Sequence, residues 1–303
     1  MISSIQKRFI ALSTLVIGCV AVLLVIFTDS DVSIAINMSK ERPIHGYIFA
    51  FSIFLLIIFA ASWLLSKIAI RPVKAAWQKQ LDFTADASHE LRTPIAVIQT
   101  NLELVLESPN DTVASQMKWL QNIAAETQRM TRLVEDLLML SRADTNQQTL
   151  EKESFMLDEL CKEVLAPFTA IAQTKGIALK ANLADSVAFC GDKKRMKQLI
   201  AILLDHALHY TSSGTVTLTL SQSEKALMLT VTDTGIGIAT PELGRIFERF
   251  YRAKIHTNTR KMHPEGSGLG LPIAKWIVKE HNGTITAESV IGRGSSFAIT
   301  LPM

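Results

Sequence analysis

The spacing of apolar positions along the chain changes twice. Phe9 to Phe27 and Tyr47 to Leu65 are uncharged apolar runs of bilayer-crossing length, and each predicts a transmembrane helix. From Leu81 the pattern becomes a seven-residue repeat, with Leu81, Ser88, Ile95 and Leu102 interleaved with Thr84, Leu91, Ile98 and Val105, the mark of a helix that buries one seam. Ser108-Pro109-Asn110-Asp111 predicts a turn that also caps a second helix. That second helix runs to about Ala143, with Leu120, Ile123, Thr127, Met130, Val134 and Leu137 again at heptad spacing. Two seams on one hairpin leave apolar surface that a second copy of the chain would cover, so a helical hairpin forming a dimeric four-helix bundle is expected. A plain coiled-coil linker would carry the same seams.

After about Leu150 the pattern shortens. Val216, Leu218 and Leu220 alternate with Thr215, Thr217 and Thr219, and Phe297, Ile299 and Leu301 alternate near the end, as half-buried strands do. Helices are expected near Leu157 to Thr174, Arg195 to Tyr210 and Leu269 to His281, the last closed by Asn282-Gly283. Together these read as an α+β sandwich, helices on a mixed sheet.

Charge places the apolar runs. Lys7 and Arg8 precede the first run, while Lys67, Arg71 and Lys74 follow the second, so the positive-inside rule predicts a multi-pass protein of the cell membrane with both termini cytoplasmic. A cleaved signal peptide is the alternative for the first run, with Ser33-Ile34-Ala35 as a small-residue cleavage site. Thr28 to Gly46 falls below the ~40 residues that normally fold unaided. A stimulus is therefore expected within the membrane or through a partner membrane protein. Pro72 suits a helix start or a kink, and Pro94 a bend. Across 303 residues the net charge is only +3, without a basic, aromatic-interleaved stripe, which gives no support for nucleic acid as a partner. Cys19, Cys161 and Cys190 have neither CxxC nor metal-ligand spacing and read as buried thiols.

Three strings carry chemistry. Ser88-His89-Glu90-Leu91-Arg92-Thr93-Pro94 sets His89 one step off the buried seam, with Glu90 beside it and Thr93 one turn along. Asp233-Thr234-Gly235-Ile236-Gly237 follows the apolar strand Leu227 to Val231 and, alone, resembles many turns. Some thirty residues on, Gly266-Ser267-Gly268-Leu269-Gly270-Leu271 opens a helix whose free N–H groups can face phosphate. Phe247-Glu248-Arg249-Phe250-Tyr251-Arg252 lies between these glycine strings, and Gly292-Arg293-Gly294-Ser295-Ser296-Phe297 follows.

The first string resembles the phospho-acceptor box of two-component sensor histidine kinases, and the order of the others resembles their Bergerat-type ATP-binding domain. The likeness runs from about Pro72 to the end. It implies a membrane region over 1–71, a dimerisation and histidine phosphotransfer domain over 72–147 and a catalytic ATP-binding domain over 148–303. It also implies ATP-dependent autophosphorylation of His89, with Glu90 orienting or deprotonating the imidazole, then phosphotransfer to an Asp of a cognate response regulator. Asp233 would accept from the adenine amino group, with Gly235 and Gly237 letting the backbone approach the base. Tyr210 would lie alongside the nucleotide and Arg252 would contact phosphate. Gly266, Gly268 and Gly270 would hinge a lid over 253–265. Glu90 and Thr93 match the family's Glu-x-x-Thr, which supports removal of phosphate from the regulator.

One helix departs from the family. His206 stands where a magnesium-binding Asn is usual, and His209 where Lys is usual. Magnesium prefers hard oxygen ligands, whereas imidazole favours softer metals. Three readings stay open: Mg²⁺ held by water and phosphate oxygens, a preference for Mn²⁺ or another metal through His206, or an impaired kinase step. In the last case the chain would act as a phosphatase-biased or scaffolding regulator.

Overall fold

The computed structural model describes residues 44–144, 150–224, 226–253 and 266–302, together with residues 16, 19 and 20. The chain divides into two compact units, Met1–Thr84 and Ala85–Met303. Helix α1 spans Ile44–Glu107 and helix α2 spans Val113–Asp144. The first apolar run lies outside the described residues except at positions 16, 19 and 20. The second is helical throughout, and Ile53, Leu56, Ile57, Trp63 and Leu64 stand exposed on it. Among the described residues no helix is long and apolar enough to cross a membrane. Helix α1 passes unbroken through Pro72 and Pro94, so Pro72 is not a helix start.

Within the second unit, the expected turn joins α1 to α2. The Asp111 amide donates to Ser108 O at 3.1 Å, and Thr112 Oγ1 accepts from the Ser115 amide at 3.3 Å. Gln116 Nε2 donates to Val105 O at 3.1 Å and Ser108 O at 2.8 Å, satisfying carbonyls that the end of α1 leaves open. Deeper in the hairpin, Asn122 Nδ2 donates to Asn101 Oδ1 at 3.1 Å. Asn101 is buried, so this polar pair fixes the register of the two helices.

The remainder is β1 (Glu153–Met156), α3 (Leu157–Lys175), β2 (Ile177–Leu183), β3 (Ala188–Gly191), α4 (Lys193–Tyr210), β4 (Gly214–Gln222), β5 (Ala226–Asp233), α5 (Thr240–Leu243), α6 (Gly270–Glu280), β6 (Thr284–Val290) and β7 (Gly294–Pro302). Strands β1 and β3 form a small antiparallel pair. The main sheet runs β2-β4-β5-β7-β6, parallel only between β2 and β4, which is the expected mixed sheet. Alternation along β4, β5 and β7 sends Val216, Leu218, Leu220, Leu227, Leu229, Val231, Phe297, Ile299 and Leu301 inward. The buried stripe of α4 (Met196, Leu199, Ile200, Leu203, Leu204, Ala207, Leu208) and that of α6 (Ile273, Ala274, Ile277, Val278) complete the core. Gly176, at φ +69°, ends α3 by donating to Ala172 O and Gln173 O.

Leu133, Met139 and Leu140 of α2 are buried with this same core, and Leu91 of α1 packs against it. The sandwich therefore rests on the hairpin of its own chain.

Candidate active site

Strand β5 ends at Asp233, only 3% exposed. Burial pushes its carboxyl up from the usual range, while the amides of Gly235 and Ser295 donate to it and pull the other way. The Gly235 amide reaches Asp233 Oδ1 at 2.8 Å. This holds the acid in a fixed orientation at the head of the loop. Two glycines here answer to close backbone approach. A Cβ on Gly235 would lie 2.3 Å from Tyr210 O. On Gly237, at φ +71°, it would lie 2.2 Å from Val290 O. The loop is tied down by Ile236 N donating to Tyr210 O (3.2 Å), Ile238 N to Ser289 Oγ (2.7 Å) and Gly292 N to Ile236 O (2.8 Å). Tyr210 and the DxGxG loop are thus brought together, with the turn between β6 and β7 closing the far side.

The second glycine string lies against the Phe247 to Arg252 segment. Phe250, itself at φ +57°, donates its amide to Gly268 O at 3.0 Å. Gly268 has φ +68°, and a Cβ there would meet the Phe250 backbone at 2.9 Å. Gly270 begins α6 beside Ile202 of α4. Gly266 has open space around it. The expected lid, apart from residue 253, falls on residues outside the description.

His206 is enclosed by rings, its centroid 4.7 Å from that of Tyr210 and 5.1 Å from that of Phe297. Its Nδ1 is buried with no hydrogen-bond partner. Burial first, and His209 second, push its pKa down to about 4, so the ring is neutral near pH 7. His209 meets Tyr210 edge-to-face, with centroids 4.8 Å apart. Among the described residues no group of three or more His, Cys, Asp or Glu side chains could hold a metal ion.

On α1, His89 and Thr93 are exposed and Glu90 is half-buried. Arg252 connects this helix to the surroundings of Tyr210: its Nη1 lies 3.8 Å from Glu90 Oε1, and its charge opposes the burial that raises the Tyr210 phenol. Two further arginines hold the same surfaces together, in contacts that their motifs did not suggest. Arg249 Nη2 donates to Leu140 O at 3.4 Å, and Arg195 Nη1 reaches Met139 Sδ at 3.4 Å while its guanidinium lies over Trp276. Their partners come from a separate part of the chain, so sequence spacing cannot reveal them.

Residues 79–146 match the His Kinase A (phospho-acceptor) domain, and residues 191–303 match the histidine kinase-, DNA gyrase B-, and HSP90-like ATPase domain. The chain belongs to the two-component sensor histidine kinases. Over 271 residues the chain is 34% identical to the sensor histidine kinase RppB of Synechocystis, covering 89% of the present chain and 59% of RppB. It therefore spans about three fifths of that relative's length. The solved histidine kinase AdeS of Acinetobacter baumannii superposes with a TM-score of 0.58 at 26% identity, over 71% of this kinase and 98% of AdeS. The histidine kinase ThkA, solved in complex with the response regulator protein TrrA, shares the fold (TM-score 0.58, 22% identity, 77% of this kinase and 64% of that chain).

Proposed function

We propose that this kinase binds ATP between Asp233, Tyr210 and the two glycine strings, phosphorylates its own His89, and passes the phosphoryl group to an Asp of a response regulator. The observation that carries the reading is the Arg252–Glu90 contact, which joins the rim of the nucleotide pocket to the acid beside the acceptor histidine. Glu90 takes the imidazole proton as the ring nitrogen attacks the γ-phosphorus. Phosphoryl transfer has a loose transition state, so the residues act by positioning and by neutralising charge, and Arg252 is the cation at hand. The complex of ThkA with TrrA supports a response regulator as the partner. Exposed Leu81, Ile95 and Leu102 on the heptad seam support a homodimer. The two uncharged apolar runs and their basic flanks support a location in the cell membrane.

His206 does not fit a protein-held metal. Ligation through Nε2 would force the ring proton onto Nδ1, which has no acceptor, whereas metal-bound imidazoles normally donate that proton to a partner. Magnesium therefore belongs to the nucleotide's own phosphate oxygens and water in this proposal, and no step is assigned to it. The same enclosed ring favours a second reading. A slow kinase step with Glu90 and Thr93 in place gives a regulator biased towards removing phosphate from its partner.

The test is incubation of the purified protein with γ-labelled ATP. Acid-labile label is expected on the parent and absent from His89→Gln; label retained by that variant refutes the assignment. If the parent stays unlabelled and His206→Asn takes up label, the phosphatase-biased reading replaces the first.

A further inference from the structure

We infer that the ATP-binding domain serves the histidine of its own chain, so that autophosphorylation runs in cis within the dimer. This rests on the kinase reading above and adds which of two acceptor histidines each nucleotide reaches. In a dimeric bundle an ATP-binding domain could face either its own His89 or its partner's, and the choice depends on which hairpin face it docks against.

The contacts of the ATP-binding domain with its own hairpin point to the first. Leu133, Met139 and Leu140 of α2 are all below 7% exposure and belong to the core of the sandwich. Arg249 Nη2 on Leu140 O and Arg195 Nη1 on Met139 Sδ pin the same stretch from the side of the nucleotide domain. On the other helix of that hairpin, Leu91 packs against the same core, and one residue before it Glu90 meets Arg252. The domain thus engages both helices of its own hairpin. It also presents the arginine at the edge of its pocket to the acid adjoining its own acceptor. The transfer balances within one chain. The bond from the γ-phosphorus to the ADP oxygen breaks, a bond from phosphorus to the His89 ring nitrogen forms, and the ring proton leaves to Glu90.

The experiment is thiol cross-linking of the full-length protein in membranes, with its native cysteines replaced. Glu90→Cys and Arg252→Cys are placed on one chain and treated with a short bis-maleimide; each single-cysteine variant serves as control. A cross-link that leaves the chain at monomer mobility is expected. A covalent dimer specific to the double variant, or no cross-link at all, overturns the inference. A second arm mixes His89→Gln with Asp233→Asn chains and follows labelled ATP. The inference expects no label on the mixed dimer, and label on the Asp233→Asn chain overturns it. Absence of label on the parent would reject the kinase reading itself, whereas the cross-linking result reads out geometry without needing activity.

Discussion

Replacing His206 with Asn or Phe should remove a measurable part of the kinase's loss of stability in mild acid. The ring is neutral in the folded state, with a pKa of about 4, and titrates from 6.5 once unfolded. As pH falls below 6.5 the unfolded chain gains a proton that the folded chain refuses, so stability is lost between pH 6.5 and 4; above pH 6.5 both states are neutral and the group contributes nothing. At pH 5.5 a fully sealed ring would cost about 1.4 kcal/mol relative to neutral pH. His206 as a whole is only half-buried, which reduces the expected figure to about 1 kcal/mol. For a domain of this size that corresponds to roughly 2–4 °C in Tm. The assay is thermal unfolding, followed by intrinsic fluorescence, of parent, His206→Asn and His206→Phe at pH 7.5 and 5.5. Both variants should lose less Tm than the parent between the two pH values, whatever their absolute stabilities. Equal losses in all three proteins would show that the ring is protonated in the fold, and the argument against a metal-ligating His206 would fall with it.

Two further substitutions probe separate parts of the molecule. Gly235→Ala sets a methyl 2.3 Å from Tyr210 O and must displace the loop that holds Asp233, so titration with a fluorescent ATP analogue should show at least about tenfold weaker binding; unchanged affinity would refute the pocket. Asp136→Asn in α2 tests a carboxyl that burial, aided by Glu135, pushes up to about 6. Its raised pKa makes the hairpin lose stability as pH climbs through 6, so the variant should be more stable by about 1 kcal/mol at pH 7.5, after discounting for partial exposure, with the gain vanishing towards pH 4 in urea titrations.

The fold was legible where one local period dominates. The two hairpin helices, the turn at Ser108 to Asp111 and the three long helices of the sandwich fall where apolar spacing puts them. Strands β2 and β6 and the pair β1 and β3 were missed. In β2, Ile177-Ala178-Leu179-Lys180-Ala181 shows no clean alternation, and its place is set by parallel pairing with β4, more than thirty residues away. Of the two roles that Pro72 suits, the continuity of α1 excludes the helix start. A proline deletes one backbone bond, but the flanking helical sequence continues strongly on both sides.

For the site, the motifs named the residues and the tertiary structure supplied their relations. Asp233, Gly235, Gly237 and Tyr210 converge because β5 and α4 end side by side, a meeting that β-sheet register decides rather than any local signal. His206 shows the limit most clearly. The sequence marks it as a departure and leaves three outcomes open, all framed by what its imidazole could bind. What bears on the choice is Phe297, a residue of the last strand, which stands edge-on to the ring. Packing of that kind makes the histidine an apolar-side element of the core with one sealed nitrogen, so its chemistry follows from burial before it follows from ligand preference.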